Sequence, residues 1–277
     1  MARMVGIIGN RPDLGAPILA FEREVLRERR VGAQPLGWGI GFHQAGEVLL
    51  RRRPLDEREV VDLSEAAADI RTDVLLGHVR HASVGGLRTE NTHPFRYRSW
   101  LFAATGTIQG FDRLRPRLLD SMPAFLSRNV RGETDTELFF YLFLSFLHDA
   151  GMLSDGGVEP ERIRGALRAS VALVDRLSAE EGQSQNTGDA LVSNGEVVIA
   201  LHRSDRAAYR VLSGRNDAEE VLSGVGAERT RIPGIESTHF SLVACGISAP
   251  LPPRWTPLTA RSLLTLRRSL PPEVEPL

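Results

Sequence analysis

Lysine is missing from the sequence: all 34 basic side chains are arginine, set against 35 acidic ones, for a formal net charge of −1. A chain so nearly neutral lacks the basic field that bulk nucleic-acid binding needs in order to displace counterions. An all-arginine complement reads first as a coding bias. The other reading is a surface suited to bidentate anion binding, which arginine does better than lysine. Cysteine is almost missing too. The single Cys245 excludes an internal disulfide and a cysteine-rich metal site, and it fits a reducing, cytoplasmic compartment. Long apolar runs are also lacking. The greasiest stretch, Leu138 to Leu147 (LFFYLFLSFL), is half of the ~20 residues that a membrane span needs, so a buried helix is expected there. The start, Met1 to Gly9, holds too short an apolar run for a signal peptide.

What is present is ordinary for a globular chain: 277 residues, 42% hydrophobic and 25% charged. One domain of mixed α and antiparallel β structure over 1–277 is expected, with a proline-rich extension at 250–277 that is extended and surface-lying. Val5 to Ile8 reads as a buried strand, Ala16–Arg30 as an amphipathic helix, and Val60–Ile70 as a further helix. Trp38 to Phe42 and Val48 to Leu50 read as strands around a turn at Ala45-Gly46. Val74–Val79 and Leu101–Ala104 are further strands. Helices are expected around Leu114–Leu126, over Asp135–Asp149, and over Pro160–Glu180. The following region is strand-like: Ala190–Ser193 and Val197–Leu201 flank Asn194-Gly195, the strongest hairpin turn signal, and Tyr209–Leu212 and Phe240–Cys245 continue the pattern.

Several segments place polar residues and glycines at the ends of apolar strands, where a scaffold can hold reactive groups against a ligand. Arg80 directly follows Val74–Val79. It could grip a carboxylate with two parallel hydrogen bonds, or simply brace a loop. Asp135 lies in Thr134-Asp135-Thr136-Glu137, before the apolar helix. Thr134 and Glu137 fit a capping box, which would leave Asp135 complementing the helix dipole. The alternative is a carboxylate aimed at a ligand amine. His78 and His81 fall on opposite faces of a strand, which argues against a metal site. His93-Pro94-Phe95 reads as a loop anchor. Cys245, in an apolar strand without an adjacent histidine, reads as buried and inert.

In order along the chain, these segments resemble the class II glutamine amidotransferases, of the N-terminal-nucleophile hydrolase fold. The nearest likeness is to the stand-alone γ-glutamyl hydrolase-like branch. Trp38-Gly39-Ile40-Gly41-Phe42 is similar to the family's early strand. Arg80 with Glu90-Asn91-Thr92-His93-Pro94-Phe95 is similar to its substrate-carboxylate loop. Phe102 to Gly110 resembles its oxyanion strand and turn, and Gly132 to Glu137 its amine-binding turn. Ala190 to Leu201 and Pro250 to Leu266 resemble its closing strands. The implied fold is α+β, a four-layer αββα sandwich with two antiparallel sheets between helices.

The resemblance also implies roles. Family members carry a cysteine nucleophile where this chain has Ala2, and a His-Asn-Gly oxyanion turn where it has Ala104-Thr105-Gly106. Arg80, Asp135, Thr134 and Gly106 match the substrate-binding positions. The expectation is a catalytically inactive relative that keeps its grip on glutamine or a γ-glutamyl group, as a sensor or regulator. Two alternatives stay open: a structural partner with a closed pocket, and an active hydrolase with a displaced nucleophile, Cys245 or Thr105. No cofactor, metal, nucleic acid or membrane is expected, whereas a protein partner or homo-oligomer is compatible.

Overall fold

Met4, Val5, Ile7 and Ile8 are all buried, so the first strand presents apolar side chains to both of its faces. A strand of that kind belongs inside a layered structure rather than on its surface. A computed structural model describes residues 2–32, 34–81, 86–153, 157–204, 206–226, 232–247 and 250–277. Met1 and positions 82–85, within the expected loop after Arg80, lie outside the described residues.

The first half of the chain forms β1 (Arg3–Gly9), α1 (Gly15–Phe21), α2 (Arg23–Leu26), β2 (Arg27–Arg29), β3 (Leu36–Gln44), β4 (Glu47–Asp56), β5 (Val60–Asp62), α3 (Leu63–Ala66) and β6 (Val74–His81). Next come β7 (Phe95–Tyr97), β8 (Trp100–Ala104), α4 (Phe111–Asp120), α5 (Ala124–Ser127), α6 (Asp135–Asp149) and α7 (Pro160–Glu180). The remainder is β9 (Ala190–Ser193), β10 (Val197–His202), β11 (Ala207–Ser213), α8 (Gly214–Gly224), β12 (His239–Cys245), β13 (Thr256–Pro257), β14 (Ser262–Arg267) and β15 (Glu273–Pro276).

Two large antiparallel sheets result. One runs β13-β11-β12-β1-β6-β3-β4 and the other β15-β14-β10-β9-β8-β7. Three apolar cores define the layers. Met4, Ile8, Leu76, Leu101, Val198 and Val243 fill the space between the sheets. Val5, Ile7, Leu75 and Leu242 turn the other way, onto α1 and its neighbours. Trp100 and Phe102 of β8 pack on α6 and α7 through Phe140, Phe143 and Leu167. This is the four-layer αββα sandwich, with alternate residues of β1, β6, β8 and β12 feeding different cores. The sheets approach closely at Gly41, where a Cβ would sit 2.7 Å from Leu101.

Some expected elements differ. The helix expected over 16–30 stops at Leu26 and its last residues form β2, paired with β5. The helix expected over 60–70 likewise begins as strand β5 and is helical only over Leu63–Ala66. A helix for which the sequence reading had no expectation, α8, lies between the expected strands at 209–212 and 240–245, which form β11 and β12. The proline-rich tail is not wholly surface-lying, because Leu263 to Leu266 of β14 are buried and pair with β10. Among the described residues no helix is long and apolar enough to cross a membrane.

Candidate active site

β1 is the central strand of its sheet, and Ala2 stands immediately before it. Its neighbour β6 runs antiparallel, so the end of β6 lies beside the start of β1, with Met4 opposite His78 and Arg3 opposite Val79. On β6 the alternation that sends Leu76 between the sheets carries His78 and Arg80 to the same side. There β8 of the facing sheet ends in Ala104, followed by Thr105-Gly106. The amino end of α6 closes the group. The result is one small cavity of about 70 Å³ lined by Ala2, His78, Arg80, His93, Ala104, Thr105, Gly106, Thr134, Asp135 and Thr136 together with His81. By the measure that a buried water needs ~10–15 Å³, several waters or a small ligand fit.

Thr134 caps α6, its side chain accepting the Glu137 N–H at 3.3 Å. The reciprocal half of the expected capping box is not made. Glu137 instead reaches further back and accepts the N–H groups of Gly132 at 2.6 Å and Arg131 at 3.1 Å. Its carboxylate therefore shapes the turn that presents Asp135. Asp135 is buried, and its two oxygens accept from Ile108 N–H at 2.7 Å and Thr136 N–H at 2.9 Å. A carboxylate has about four lone-pair sites, so acceptor capacity is left for a ligand. Burial pushes the Asp135 carboxyl above its ordinary value, against the pull of those N–H groups and of Arg80.

Arg80 is also buried, and burial lowers its guanidinium while the Asp135 charge acts the other way. It donates to Gly86 O at 3.4 Å. Asn91 donates to the same carbonyl at 3.1 Å, and its Oδ1 accepts the Glu133 N–H at 3.0 Å. The Arg80 loop and the Asp135 turn are thus tied through Asn91. The two charged groups face one cavity, and no direct ion pair between them is among the described contacts.

Gly106 has φ +100°, and a Cβ there would stand 2.2 Å from Thr187 O. Gly188 opposite has φ +145°, and its Cβ would stand 2.2 Å from Thr105 O. Thr105 donates its N–H to Asp189 O at 2.8 Å and accepts the Asp189 N–H through Oγ1 at 3.4 Å. Its hydroxyl is thereby tied to the neighbouring chain. Cys245 is fully buried between the sheets and does not line the cavity, and burial, first, raises its thiol well above the usual range.

A family model for class-II glutamine amidotransferases matches residues 1–213. The chain belongs to the class-II glutamine amidotransferases. It is 28% identical over 270 residues to a probable glutamine amidotransferase of Saccharomyces cerevisiae, covering 90% of this chain and 74% of that one. Two solved structures share the fold at 18% identity. A glutamine aminotransferase class-II domain protein from Silicibacter pomeroyi gives a TM-score of 0.59 over 99% of this chain and 98% of its own. A predicted glutamine amidotransferase from Pseudomonas aeruginosa gives 0.58 over 96% and 97%.

In this amidotransferase-family chain, all the positions singled out from sequence as degenerate or binding (Ala2, Ala104, Thr105, Gly106, Arg80, Thr134 and Asp135) come together around the cavity. Sequence reading left four contributors without a place in the site. His78 and His93 stack with ring centroids 4.3 Å apart, and among the described residues none of their ring nitrogens meets hydrogen-bond geometry, although the Ala104 backbone acts on His78. Gly188 and Asp189 brace the Thr105-Gly106 turn from the entry to the adjacent strand, β9. Asp189 is itself held by His202 at 2.9 Å and by the Ser204 hydroxyl at 2.6 Å, and although burial acts to raise it, these bonds keep its carboxyl below the ordinary value. The only advance signal for them was the Gly188-Asp189 pair just before an apolar strand. Among the described residues no group of three His, Cys, Asp or Glu side chains is placed to hold a metal ion.

Proposed function

We propose that this protein binds glutamine or a γ-glutamyl group at the Arg80–Asp135 cavity and does not hydrolyse it, acting as a sensor or regulator in the cytoplasm. The observation that carries the reading is the presence of one cation and one anion on the walls of a single small cavity. An α-amino acid presents a carboxylate and an ammonium on the same carbon, so this pair suits the zwitterion and disfavours simple acids or amines. Each charge-assisted contact contributes about 1.5–3 kcal/mol when desolvated.

The chemistry on the opposite wall supports the absence of turnover. The family resemblance puts a nucleophilic cysteine where Ala2 stands, and a methyl group forms no thioester. It puts an asparagine side-chain amide where Thr105 stands, and Thr105 has no amide N–H to offer from its side chain, only a shorter hydroxyl that accepts the Asp189 N–H at 3.4 Å. Loss of one such donor removes about 3–4 kcal/mol of transition-state stabilisation. The burial of Cys245 away from the cavity weighs against a displaced thiol nucleophile. The cavity itself weighs against a plugged, purely structural pocket.

Calorimetry with glutamine, glutathione and a γ-glutamyl amide tests the reading, alongside glutamate release from glutamine. Binding on the order of micromolar to millimolar is expected, with release at background. Arg80→Ala and Asp135→Ala should each weaken binding about tenfold or more, and less than additively in combination, because losing either contact misplaces the ligand for the other. The absence of heat with every γ-glutamyl compound at millimolar concentration would overturn the binding role. Clear turnover would overturn the inactive one.

A further inference from the structure

A second cavity, of about 480 Å³, opens away from the Arg80–Asp135 site and shares none of its lining residues. That volume lies within the ~300–1,000 Å³ of small-molecule sites. Four guanidiniums line it, from Arg52 on β4, Arg96 on β7, Arg98 in the turn after β7, and Arg131 before α6. Tyr97 and Tyr141 form an aromatic wall, their rings edge-on at 6.1 Å. Arg98 lies 5.6 Å from the Tyr97 ring centroid. Two carboxylates also line the cavity, Glu90 and Glu137. Glu137 is already engaged, since both of its oxygens accept backbone N–H groups. Glu90 is exposed, and its charge acts on Arg52.

The balance of charge in the cavity is therefore positive. Arg52 and Arg96 each donate to a backbone carbonyl, Thr92 O at 3.2 Å and Val48 O at 2.7 Å, which holds their guanidiniums at the rim. Arg131 is exposed, and its side chain makes no hydrogen bond or ion pair among the described residues. Guanidinium forks match oxyanions in pairs of parallel hydrogen bonds. Because the four come from different elements around one opening, a single negative charge would satisfy only part of the set.

We propose that this groove is a binding site for a small polyanion, a molecule carrying two or more neighbouring phosphate or carboxylate groups. The site is independent of the glutamine reading, and either could fail alone. The test is calorimetry of the full chain with pyrophosphate and, separately, with citrate, at low and at physiological salt. Saturable one-to-one binding of at least one of them is expected, and the tighter of the two assigns the ligand class as phosphate or carboxylate. Arg131→Ala should weaken that binding about fivefold to tenfold, and Arg131→Glu more. Arg162→Ala, which removes an exposed charge on the distant helix α7, should leave it unchanged. Two results would overturn the proposal: no saturable heat with either anion, or equal weakening by Arg131→Ala and Arg162→Ala.

Discussion

A Cβ at Gly106 would face two obstacles at once. The backbone has φ +100°, where L side chains are strained, and the methyl would stand 2.2 Å from Thr187 O and 2.6 Å from Gly188 Cα. Gly46 isolates the first effect, for it has φ +81° with nothing within 4 Å. Gly46→Ala should therefore cost about 1–2 kcal/mol, the price of the left-handed conformation alone. Gly106→Ala should cost roughly 3 kcal/mol or more, because backbone must move as well. Urea unfolding of both variants checks this, and equal losses would mean that the strands part easily behind the turn. At this scale the sequence was informative where chemistry needs particular residue types. Arg80 and Asp135 became candidates through their positions at element ends, with loop bracing and helix capping as alternatives, and the family resemblance added Gly106 and decided between the readings. Gly188 and Asp189 did not, because their role depends on a strand more than eighty residues along the chain coming to lie beside Thr105, as in the Thr105–Asp189 hydrogen bonds.

Helix α6 shows how an element turns its own end into part of a site. Thr134 caps it, Asp135 is in the first turn, and Glu137 folds back on Arg131 and Gly132. Removing that last carboxylate leaves two N–H groups without their acceptor, one of them on buried Gly132. Glu137→Ala should destabilise by about 2–3 kcal/mol, and Glu137→Gln by less, since one acceptor oxygen survives. Both should also weaken any ligand that uses Asp135, whose turn they loosen. A Glu137→Ala protein with unchanged stability and unchanged glutamine binding would refute this account. Helices α6 and α7 were legible to the residue because each carries its own boundary signal, Thr134 for one and Pro160 at the first position of the other. The helix expected over 16–30 failed for a tertiary reason. Arg27–Arg29 pairs with Val60–Asp62, and that ladder overrides a helical hydrophobic period which Leu26 would otherwise continue. The same pairing shortened the helix expected over 60–70. Strand β14 was hidden from composition by its flanking prolines, and only the family resemblance marked 250–266 as a closing strand, although Leu263, Leu264 and Leu266 are as buried as any residue in the fold.

Across the whole molecule, the two sheets press several histidines into places where a positive charge is poorly tolerated. His78 is 1% exposed and its value is lowered from 6.5 to about 3, first by burial and then by Arg80. His43, on β3, is lowered from 6.5 to about 4 by burial and then by Arg268. His93, stacked on His78, is lowered well below 6.5, again by burial first. In the unfolded chain each takes up a proton near pH 6.5, whereas in the folded chain each resists down to much lower pH. The unfolded state thus binds more protons over this window. Stability from these groups is fully present above about pH 6.5 and is lost progressively as pH falls towards 4 and then 3. For His78 alone the full effect is on the order of a few kcal/mol. Glu22, Asp135 and Glu137 act with the opposite sign, because burial raises their carboxyls and protonation relieves them. Carboxyls held below their ordinary value, such as Asp56 at about 2 and Asp189, lose stability in acid as the histidines do, so the histidine contribution is best read by difference. His78→Phe keeps a ring in the stack and removes the titrating nitrogens, neither of which meets hydrogen-bond geometry among the described residues. Urea midpoints measured from pH 7.5 to 4.5 should fall less steeply for His78→Phe than for wild type. In parallel, the His43 and His78 ring protons should show no titration by NMR between pH 8 and 5. Parallel stability curves, or a His78 signal titrating near pH 6.5, would mean that the ring is reached by water and that the cavity beside Ala2 is wetter than its packing implies.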